Sequence, residues 1–449
     1  MKRLNEIPRD KTMKKVIYIG LIGFGTIGTG VVKLLQKNAE LIAGRLGTEI
    51  RLKKIADIDI LRSRGIQVDN ALLTKDAFEI IKDPEIDIVV ELMGGYEPAR
   101  AFILESMSMG KHVVTANKAL LATHGDEIFR GAAHYGVNIG FEASVGGTVP
   151  VIKTIKESLV GNQIQSIFAI VNGTSNYILS MMTDAGGSFE KVLKEAQTLG
   201  FAESDPVYDV EGIDAAHKLA ILLSLSYGKK VKLNDLYREG ISQIGEQDIA
   251  FSRELGYRIK LLAIAIRRDH EIEARLHPTM IPLDHLLANV NGNYNAFHII
   301  GDAAGSVFLS GQGAGMMPTA SAVFSDIVDI ARDILKSSAG RVPPRVLNEE
   351  SIDDICLMPF DQITTNYYFR FSAVDRPGVL SRIAGVLGAN DISISTVIQK
   401  GRMQGGAVPI VMTTYKARER DVRRAMEDID RLDIVMGKTM LIRIEDDKL

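Results

Sequence analysis

Residues 16–28, VIYIGLIGFGTIG, decide the fold that we predict for the first third of this chain. The first seven are apolar, largely β-branched and bounded by glycine, which is typical of a buried parallel strand. Glycines with G-x-G-x-x-G spacing follow, and a stretch with helical apolar spacing begins directly after them. A strand, this glycine pattern and a helix form the fingerprint of a dinucleotide site, and a purely structural turn is the alternative. We predict that a dinucleotide contacts Gly23, Gly25, Thr26, Ile27 and Gly28.

The rest of residues 1–148 continues this alternation of strand and helix. Strand-like apolar runs lie at 50–58 and 87–95, while 111–121 passes from strand to helix and 137–147 from strand to a glycine-rich loop. This order predicts an α/β domain with a Rossmann-type, doubly wound parallel sheet. Thr115 and Lys118 stand where one strand passes into its helix, at the carboxyl edge where such sheets bind ligands. We predict that both contact the cofactor, and the alternative for Lys118 is an exposed lysine at a helix start.

The end of the second predicted strand bears on the choice of cofactor. Asp57 and Asp59 close this strand, and an acid there can accept a hydrogen bond from a ribose 2′-hydroxyl, which favours NAD. Lys53 and Lys54 lie close by in sequence and could attract a 2′-phosphate instead. The residues alone therefore leave NAD or NADP open, with a slight preference for NAD. A solvated strand end is the non-functional interpretation of Asp57.

Residues beyond 148 divide into four further parts. An α+β substrate and dimerisation domain is predicted over 149–316, with helices first and strands later. One amphipathic helix at 318–335 is expected to pack back on the first domain. A linker rich in Pro, Ser and Gly covers 336–366. The order β-α-β-β-α-β over 367–449 predicts a ferredoxin-like domain.

Composition excludes several classes of protein. The chain has 449 residues, 46% apolar and 24% charged, which is an ordinary globular mix. The net charge of −3 gives no electrostatic reason to expect nucleic acid or a membrane surface as partner. No apolar run is long enough for a membrane helix, and none resembles a signal peptide. The single cysteine, Cys356, cannot form an internal disulfide, so we expect a cytoplasmic protein.

The densest polar segment lies at 196–225 and supplies the catalytic candidates. Asp214 and Lys218 are spaced i and i+4 on a predicted helix, so they share one face. The LAILLSL that follows makes this helix largely buried, and a buried lysine needs a charged partner. A partly desolvated lysine can transfer protons near neutral pH. The alternative is an ordinary surface ion pair. His217 should point away from this face, and we interpret it as non-catalytic.

At this point a resemblance becomes specific. The string AQTLGFAESDPVYDVEGIDAAHK at 196–218 resembles the signature of homoserine dehydrogenases. VTANKALLA, FEASVGGTVP, VNGTSNYIL and GAGMMPTASAV resemble further segments of that family, in family order. The later string VDRPGVLSRIAGVLGANDISI resembles an ACT domain, a small amino-acid-sensing module.

The resemblance implies an activity and roles for residues. The activity is reversible, NAD(P)-dependent reduction of L-aspartate 4-semialdehyde to L-homoserine, a step toward threonine, methionine and isoleucine. Lys218 would be the general acid and base, Lys118 a second lysine near substrate and nicotinamide, and Asp214 the residue that orients the amine. Glu203 and Asp209 would bind the substrate. Gly200 and Gly315 would lie against the cofactor.

Family members also carry a monovalent cation, sodium or potassium. By motif its ligands would be Glu142 and the backbone of Val145, Gly147 and Val149. In the ACT domain, Asp375, Gly378 and Asn390 are candidates for binding a regulatory amino acid such as threonine. The alternative for this domain is dimerisation without a ligand, and we expect a homodimer or homotetramer.

This chain departs from the family pattern in two places, and two rival functions are considered. Many family members have an arginine near the end of the second strand, where this chain reads IADID, so strict NADP preference is not expected. No aspartate-kinase segment precedes residue 15, so the bifunctional kinase–dehydrogenase is not expected. Aspartate-semialdehyde dehydrogenase needs a cysteine nucleophile, and Cys356 is poorly placed for one. A non-enzymatic protein that senses dinucleotide and amino acid is the other rival.

Overall fold

The computed structural model describes residues 14–228, 231–345, 356–401 and 406–446. The chain divides into two compact units. The first comprises residues 1–144 and 315–344, and the second comprises 145–314 and 345–449. Among the described residues, no helix is both long and apolar enough to span a bilayer.

The first unit opens with the alternation that the glycine motif predicts. Its strands are β1 (Val16–Ile22), β2 (Glu49–Ala56), β3 (Leu73–Thr74), β4 (Ile88–Glu91), β5 (His112–Thr115) and β6 (Ile139–Gly140). Its helices up to this point are α1 (Thr26–Leu46), α2 (Phe78–Ile81), α3 (Ala99–Ser108) and α4 (Lys118–Tyr135). The strands are parallel and lie in the order β3-β2-β1-β4-β5-β6. This confirms the doubly wound sheet, whose order reverses between β1 and β4, where such folds bind ligands.

The second unit begins with helices and then forms a long sheet that is mostly antiparallel. Its helices here are α5 (Val151–Lys153), α6 (Gly173–Asp184), α7 (Phe189–Thr198), α8 (Val207–Val210), α9 (Ile213–Tyr227) and α10 (Glu246–Glu254). Its strands are β7 (Ile164–Ile170), β8 (Tyr237–Arg238), β9 (Tyr257–Arg268), β10 (Glu271–Pro282), β11 (Tyr294–Gly301) and β12 (Gly305–Gln312). Helix α5 is short and passes directly into a π-helical turn at Thr154–Ser158.

Helix α11 (Met316–Lys336) returns the chain to the first unit. Its apolar face joins α1 and β1 in one buried core, which includes Val323 and Ile327. Gly30 of α1 permits this close packing, because a Cβ there would lie 2.7 Å from the carbonyl oxygen of Met316. The helix predicted at 318–335 is therefore part of the dinucleotide-binding unit.

The C-terminal elements complete the sheet of the second unit. They are β13 (Cys356–Leu357), β14 (Thr364–Val374), α12 (Val379–Ala389), β15 (Ile394–Gln399), β16 (Ala407–Thr414), β17 (Ala417–Arg418), α13 (Glu419–Asp430) and β18 (Met440–Ile444). The predicted β-α-β-β-α-β order is confirmed, with β17 as a short addition. Strand β18 pairs in parallel with β10, so one sheet contains strands of 145–314 and of the C-terminal elements.

Part of the predicted linker is ordered within this sheet. Residues 346–355 lie outside the described residues. After them, β13 pairs with the start of β10, and Met358 N donates to Ile272 O at 2.9 Å. Strand β14 begins at Thr364, within the predicted linker of 336–366. Residues 356–358 are therefore bound along the start of β10.

Candidate active site

The start of α9 carries a buried ion pair in the second unit. Lys218 Nζ donates to Asp214 Oδ2 at 2.7 Å and to the carbonyl oxygen of Val171 at 2.6 Å. Asp214 is 4% exposed and Lys218 is 8% exposed. The i,i+4 spacing predicted this pairing, and the apolar remainder of α9 explains why the pair is buried. The catalytic role of the pair stays a prediction.

Asn172 connects this pair to a second carboxylate, and sequence reasoning did not single it out. Its Nδ2 donates to Asp209 Oδ1 at 2.7 Å and to Asp214 Oδ2 at 3.0 Å. Its Oδ1 caps α6 by accepting from Ser175 N at 2.8 Å. Asparagine between an apolar strand and a helix is an N-cap signal, which predicts the cap but not the contacts to two acids. We call Asn172, Asp209, Asp214 and Lys218 the acid–lysine group.

Other predicted residues of this segment lie outside the acid–lysine group. Glu203 lies exposed in the loop between α7 and α8. Gly200, in the same stretch, is exposed and has a φ of 77°. His217 is buried, and its Nδ1 lies 2.7 Å from the hydroxyl of Tyr208. That contact agrees with the interpretation of His217 as a packed residue.

The glycine motif of the first unit borders a cavity of about 890 Å³. Gly25 faces open space, because a Cβ built on it would meet no atom within 4 Å. Gly28 is packed, because its Cβ would lie 2.3 Å from the carbonyl oxygen of Gly23. The first allows a ligand to approach the backbone, and the second allows α1 to pack against the strand that precedes it. A dinucleotide fits this arrangement.

Asp57 lies at the edge of this cavity and is held by the glycine loop. Its Oδ2 accepts from Phe24 N at 2.6 Å, and its Oδ1 lies 3.1 Å from the guanidinium of Arg64. Arg64 also donates to the carbonyl oxygens of Phe24 and Asp59. Sequence reasoning missed Arg64 because it belongs to the loop after β2 and reaches Asp57 only in the folded unit. Three cations line the cavity: Arg62, Arg64 and Lys75.

The two lysines considered for a 2′-phosphate are committed to other partners. Lys53 Nζ lies 2.8 Å from Asp83 and 2.6 Å from Glu85. Lys54 Nζ lies 2.5 Å from Glu79. Neither lysine is among the residues that line the cavity. The candidates for contacting a 2′-phosphate are therefore Arg62, Arg64 and Lys75 rather than these two lysines.

The carboxyl edge of the parallel sheet is held by buried polar side chains. Glu91 accepts from Thr115 Oγ1 at 2.6 Å and from Met93 N at 2.9 Å, and burial raises its pKa. Asn117 Nδ2 donates to the carbonyl oxygen of Gly95 at 2.7 Å. Thr115, predicted to contact the cofactor, thus uses its hydroxyl to support the loop after β4. Lys118 is the first residue of α4 and is half-buried.

Three family models match this chain in succession. The model of the NAD binding domain of homoserine dehydrogenase matches residues 23–142, that of homoserine dehydrogenase 150–328, and that of the ACT domain 367–433. A homoserine dehydrogenase of Neisseria gonorrhoeae is 44% identical over 431 residues, covering 96% of this chain and 99% of the relative. The chain belongs to the homoserine dehydrogenase family. The resemblance stated from the sequence is confirmed.

Solved structures of homoserine dehydrogenases support the same assignment. The crystal structure of a homoserine dehydrogenase from Thiobacillus denitrificans has a TM-score of 0.90 and 46% identity, and the match covers 96% of this chain and 99% of that one. A homoserine dehydrogenase structure from S. aureus has a TM-score of 0.75 and 33% identity over the same shares. The likeness covers the dinucleotide-binding, substrate and ACT segments together.

Within this homoserine dehydrogenase fold, the predicted cation segment spans 142–149. Glu142 is 2% exposed, and its backbone N donates to Asp326 Oδ2 at 2.8 Å. Gly147 has a φ of 60°, and a Cβ on it would lie 2.5 Å from the backbone of Gly313. Among the described residues no group of three or more His, Cys, Asp or Glu side chains could hold a metal. A carboxylate with backbone carbonyls is a different, all-oxygen donor set that suits a hard cation.

The ACT residues predicted to bind an effector lie at both ends of α12. Gly378 caps the start of this helix with a φ of 89°. Asn390 caps its end and is buried, with Nδ2 donating to Val386 O at 2.9 Å. Its Oδ1 accepts from Arg424 Nε at 2.6 Å. Asp375 precedes α12 in the turn after β14. Effector binding at these residues stays a prediction.

Proposed function

We propose that this chain interconverts L-homoserine and L-aspartate 4-semialdehyde, with NAD or NADP as the partner of the hydride transfer. The single observation that carries the proposal is the buried Asp214–Lys218 pair, held by Asn172 and Val171 O. It stands in a chain that also contains a dinucleotide fold and belongs to the homoserine dehydrogenase family. An acid-held lysine is the kind of group that moves a proton to or from an alcohol.

In this proposal the dinucleotide, when bound, would supply or accept the hydride. Lys218 would transfer the proton. Two N–H groups of Lys218 donate to Asp214 and Val171 O, which leaves one for the substrate oxygen. During reduction Lys218 Nζ donates a proton to the oxygen as negative charge develops there. During oxidation the neutral amine takes the hydroxyl proton. Asp214 orients Nζ and stabilises its positive form.

The substrate carries an ammonium group, and acidic side chains are proposed to bind it. Asp209 is half-buried, and its Oδ1 is fixed by Asn172 at 2.7 Å. Glu203 is exposed and able to turn toward a ligand. Lys118 stays a prediction as the second lysine of the reaction. These carboxylates would give the site its preference for an amino acid over a simple alcohol.

We further propose that NAD is preferred to NADP. Asp57 directly follows β2, where a carboxylate accepts from the ribose hydroxyl of NAD and repels a 2′-phosphate. Arg64 is engaged with Asp57, Phe24 O and Asp59 O, so its guanidinium is already occupied. Arg62 and Lys75 also line the cavity, and they are the residues through which NADP would be accepted.

Two finer assignments belong to the same proposal. Sodium or potassium would be held by the Glu142 carboxylate and the carbonyls of Val145, Gly147 and Val149, since these oxygens suit a hard monovalent ion. Threonine, or another amino acid, would bind the ACT domain near Asp375, Gly378 and Asn390 and regulate the enzyme. We also propose a cytoplasmic homodimer or homotetramer.

Steady-state kinetics of the full chain tests the proposal. Homoserine oxidation is measured with NAD and with NADP, each with and without threonine. We expect turnover with both cofactors, a higher kcat/KM with NAD, and inhibition by threonine that Asp375→Asn weakens. Absence of turnover with either cofactor would contradict the enzyme assignment and favour a sensor of dinucleotide and amino acid.

A further inference from the structure

The ACT domain is joined to the substrate domain by a buried ionic contact as well as by the sheet. Along one edge of β10, three short segments pair in succession: β13, β8 and β18. Strand β8 thus lies between the connecting chain and the last ACT strand. Residues 237–241, which contain β8, are called the connector below.

The connector is held by side chains of the ACT domain. Glu239 Oε2 lies 2.7 Å from a terminal guanidinium nitrogen of Arg443, a fully buried residue of β18. Arg443 is also paired with the buried Glu419 at 2.5 Å. The ring of Tyr237 stacks on Phe360 with centroids 3.3 Å apart. Glu239 is therefore the acid by which the connector contacts the buried Arg443 of the ACT domain.

The other end of the connector touches the segment that carries the substrate acids. Ile241 N donates to the carbonyl oxygen of Val210 at 2.8 Å. A Cβ on Gly240 would lie 2.5 Å from that same oxygen, so the two backbones are in direct contact. Val210 ends α8 directly after Asp209, whose carboxylate is bonded to Asn172. We therefore expect a shift of the connector toward α8 to displace α8, because the two backbones are in direct contact.

We propose that Glu239 is a positioning residue for the reaction: its pairing with Arg443 fixes the connector, and the connector fixes Asp209 for the substrate. The inference rests on the proposed function, since it concerns the oxidation of homoserine. It makes the ACT domain a support of the substrate site even when no effector is bound. An effector that displaced β18 would also displace Asp209, because the same contacts connect the two.

The test compares two ion pairs that join the same two domains. Glu254 of α10 lies 2.6 Å from Lys400, and its side chain is 41% exposed, against 36% for Glu239. Glu254→Gln is therefore a control matched in the exposure of the acid, whereas its partner Lys400 is 58% exposed and Arg443 is fully buried. We expect Glu239→Gln in the full chain to lower kcat/KM for homoserine by about ten-fold, because small misplacements of a substrate-binding group are costly. The KM for NAD should stay unchanged, and Glu254→Gln should stay within about two-fold of the unmodified chain.

A second variant guards against a purely structural explanation. Gly240→Ala keeps the Glu239–Arg443 pair but forces a methyl group against Val210 O, and we expect the same selective loss for homoserine. Glu239→Asp keeps the charge and should recover part of the activity that Glu239→Gln loses. Equal kcat/KM values for Glu239→Gln and Glu254→Gln would overturn this inference and leave the proposed function unaffected. If the unmodified chain does not oxidise homoserine, the proposed function fails and the inference with it.

Discussion

Asn172 and Asp214 are joined by a hydrogen bond of 3.0 Å from the amide nitrogen of the first to Oδ2 of the second. The same nitrogen donates to Asp209 at 2.7 Å, so one neutral amide holds two carboxylates. Lys218 donates to Asp214 from another side. Hydrogen-bond donors are what make a buried acidic group tolerable, because uncompensated buried charge is strongly destabilising.

Replacing Asn172 should separate capping from catalysis. Serine at this position can still cap α6, but its short side chain cannot reach both carboxylates. We expect Asn172→Ser to stay folded, with a modest fall in unfolding temperature from the lost hydrogen bonds, while kcat/KM for homoserine falls by about ten-fold or more. Thermal unfolding and steady-state kinetics on the same sample check this. Unchanged kinetics would remove Asn172 from the substrate site.

Asp57 should set the ratio of activities with the two dinucleotides. Asp57→Ser removes the charge that repels a 2′-phosphate and frees Arg64 from its ion pair. We expect kcat/KM with NAD to fall and the NADP-to-NAD ratio of kcat/KM to rise by about ten-fold, the effect of roughly 1.4 kcal/mol. Asp87→Ser, at a distant position of the same unit, is the control. A ratio that does not move would assign cofactor choice to other residues.

Alanine should have different effects at two glycines of the motif, on stability at one and on NAD binding at the other. Gly28→Ala places a methyl group 2.3 Å from the carbonyl oxygen of Gly23, so it should lower the unfolding temperature. Gly25→Ala meets no protein atom within 4 Å, and its φ of −74° suits alanine. It should leave the unfolding temperature unchanged and weaken NAD binding, which titration calorimetry measures. Full NAD affinity in Gly25→Ala would show that the dinucleotide does not approach this backbone.

Burial of His277 should make stability depend on pH. Desolvation, with Arg443 and Arg275 close by, lowers the pKa of His277 well below its usual value. Below about pH 6.5 the unfolded chain binds a proton that the folded chain refuses, so stability falls as pH falls. One such group contributes a slope of up to about 1.4 kcal/mol per pH unit.

The variant His277→Gln should lack this contribution. Glutamine keeps a neutral polar side chain that can accept from Arg275, as His277 Nε2 does at 2.7 Å. Chemical unfolding at pH 8, 6.5 and 5.5 should therefore show a smaller loss of stability on acidification in the variant. Equal losses in both proteins would mean that His277 is protonated in the folded chain.

Features of the structure that depend on local residue spacing could be predicted from the sequence. The parallel sheet followed from β-branched runs that alternate with helices, and the Asp214–Lys218 contact followed from i,i+4 spacing on one helix. Strand β12 was not predicted, because its GSVFLSGQ sequence lacks a continuous apolar run and its residues are half-buried or exposed at the sheet edge. The two-residue β3 is too short to leave a pattern.

Contacts between distant segments could not be predicted in this way. Asn172 lies 42 residues before Asp214, and Arg64 reaches Phe24 across 40 residues. The pairing of β18 with β10 joins Thr279 to Arg443, and no local pattern indicates which sheet edge a strand will select. A Pro-Pro segment predicted a linker over 336–366, and the pairing of Cys356–Leu357 with β10 within it left no local pattern.

The most direct measurement is the turnover of homoserine by Lys218→Ala, with Lys194→Ala, an exposed lysine of α7, as the control. We expect kcat to fall by about 100-fold or more, because the variant lacks the general acid and base. NAD binding should persist in this variant because the glycine motif lies in the other unit, and thermal unfolding confirms that the sample is folded. Turnover near that of the unmodified chain, in a folded Lys218→Ala protein that binds NAD, would contradict the assignment of the proton transfer to Lys218.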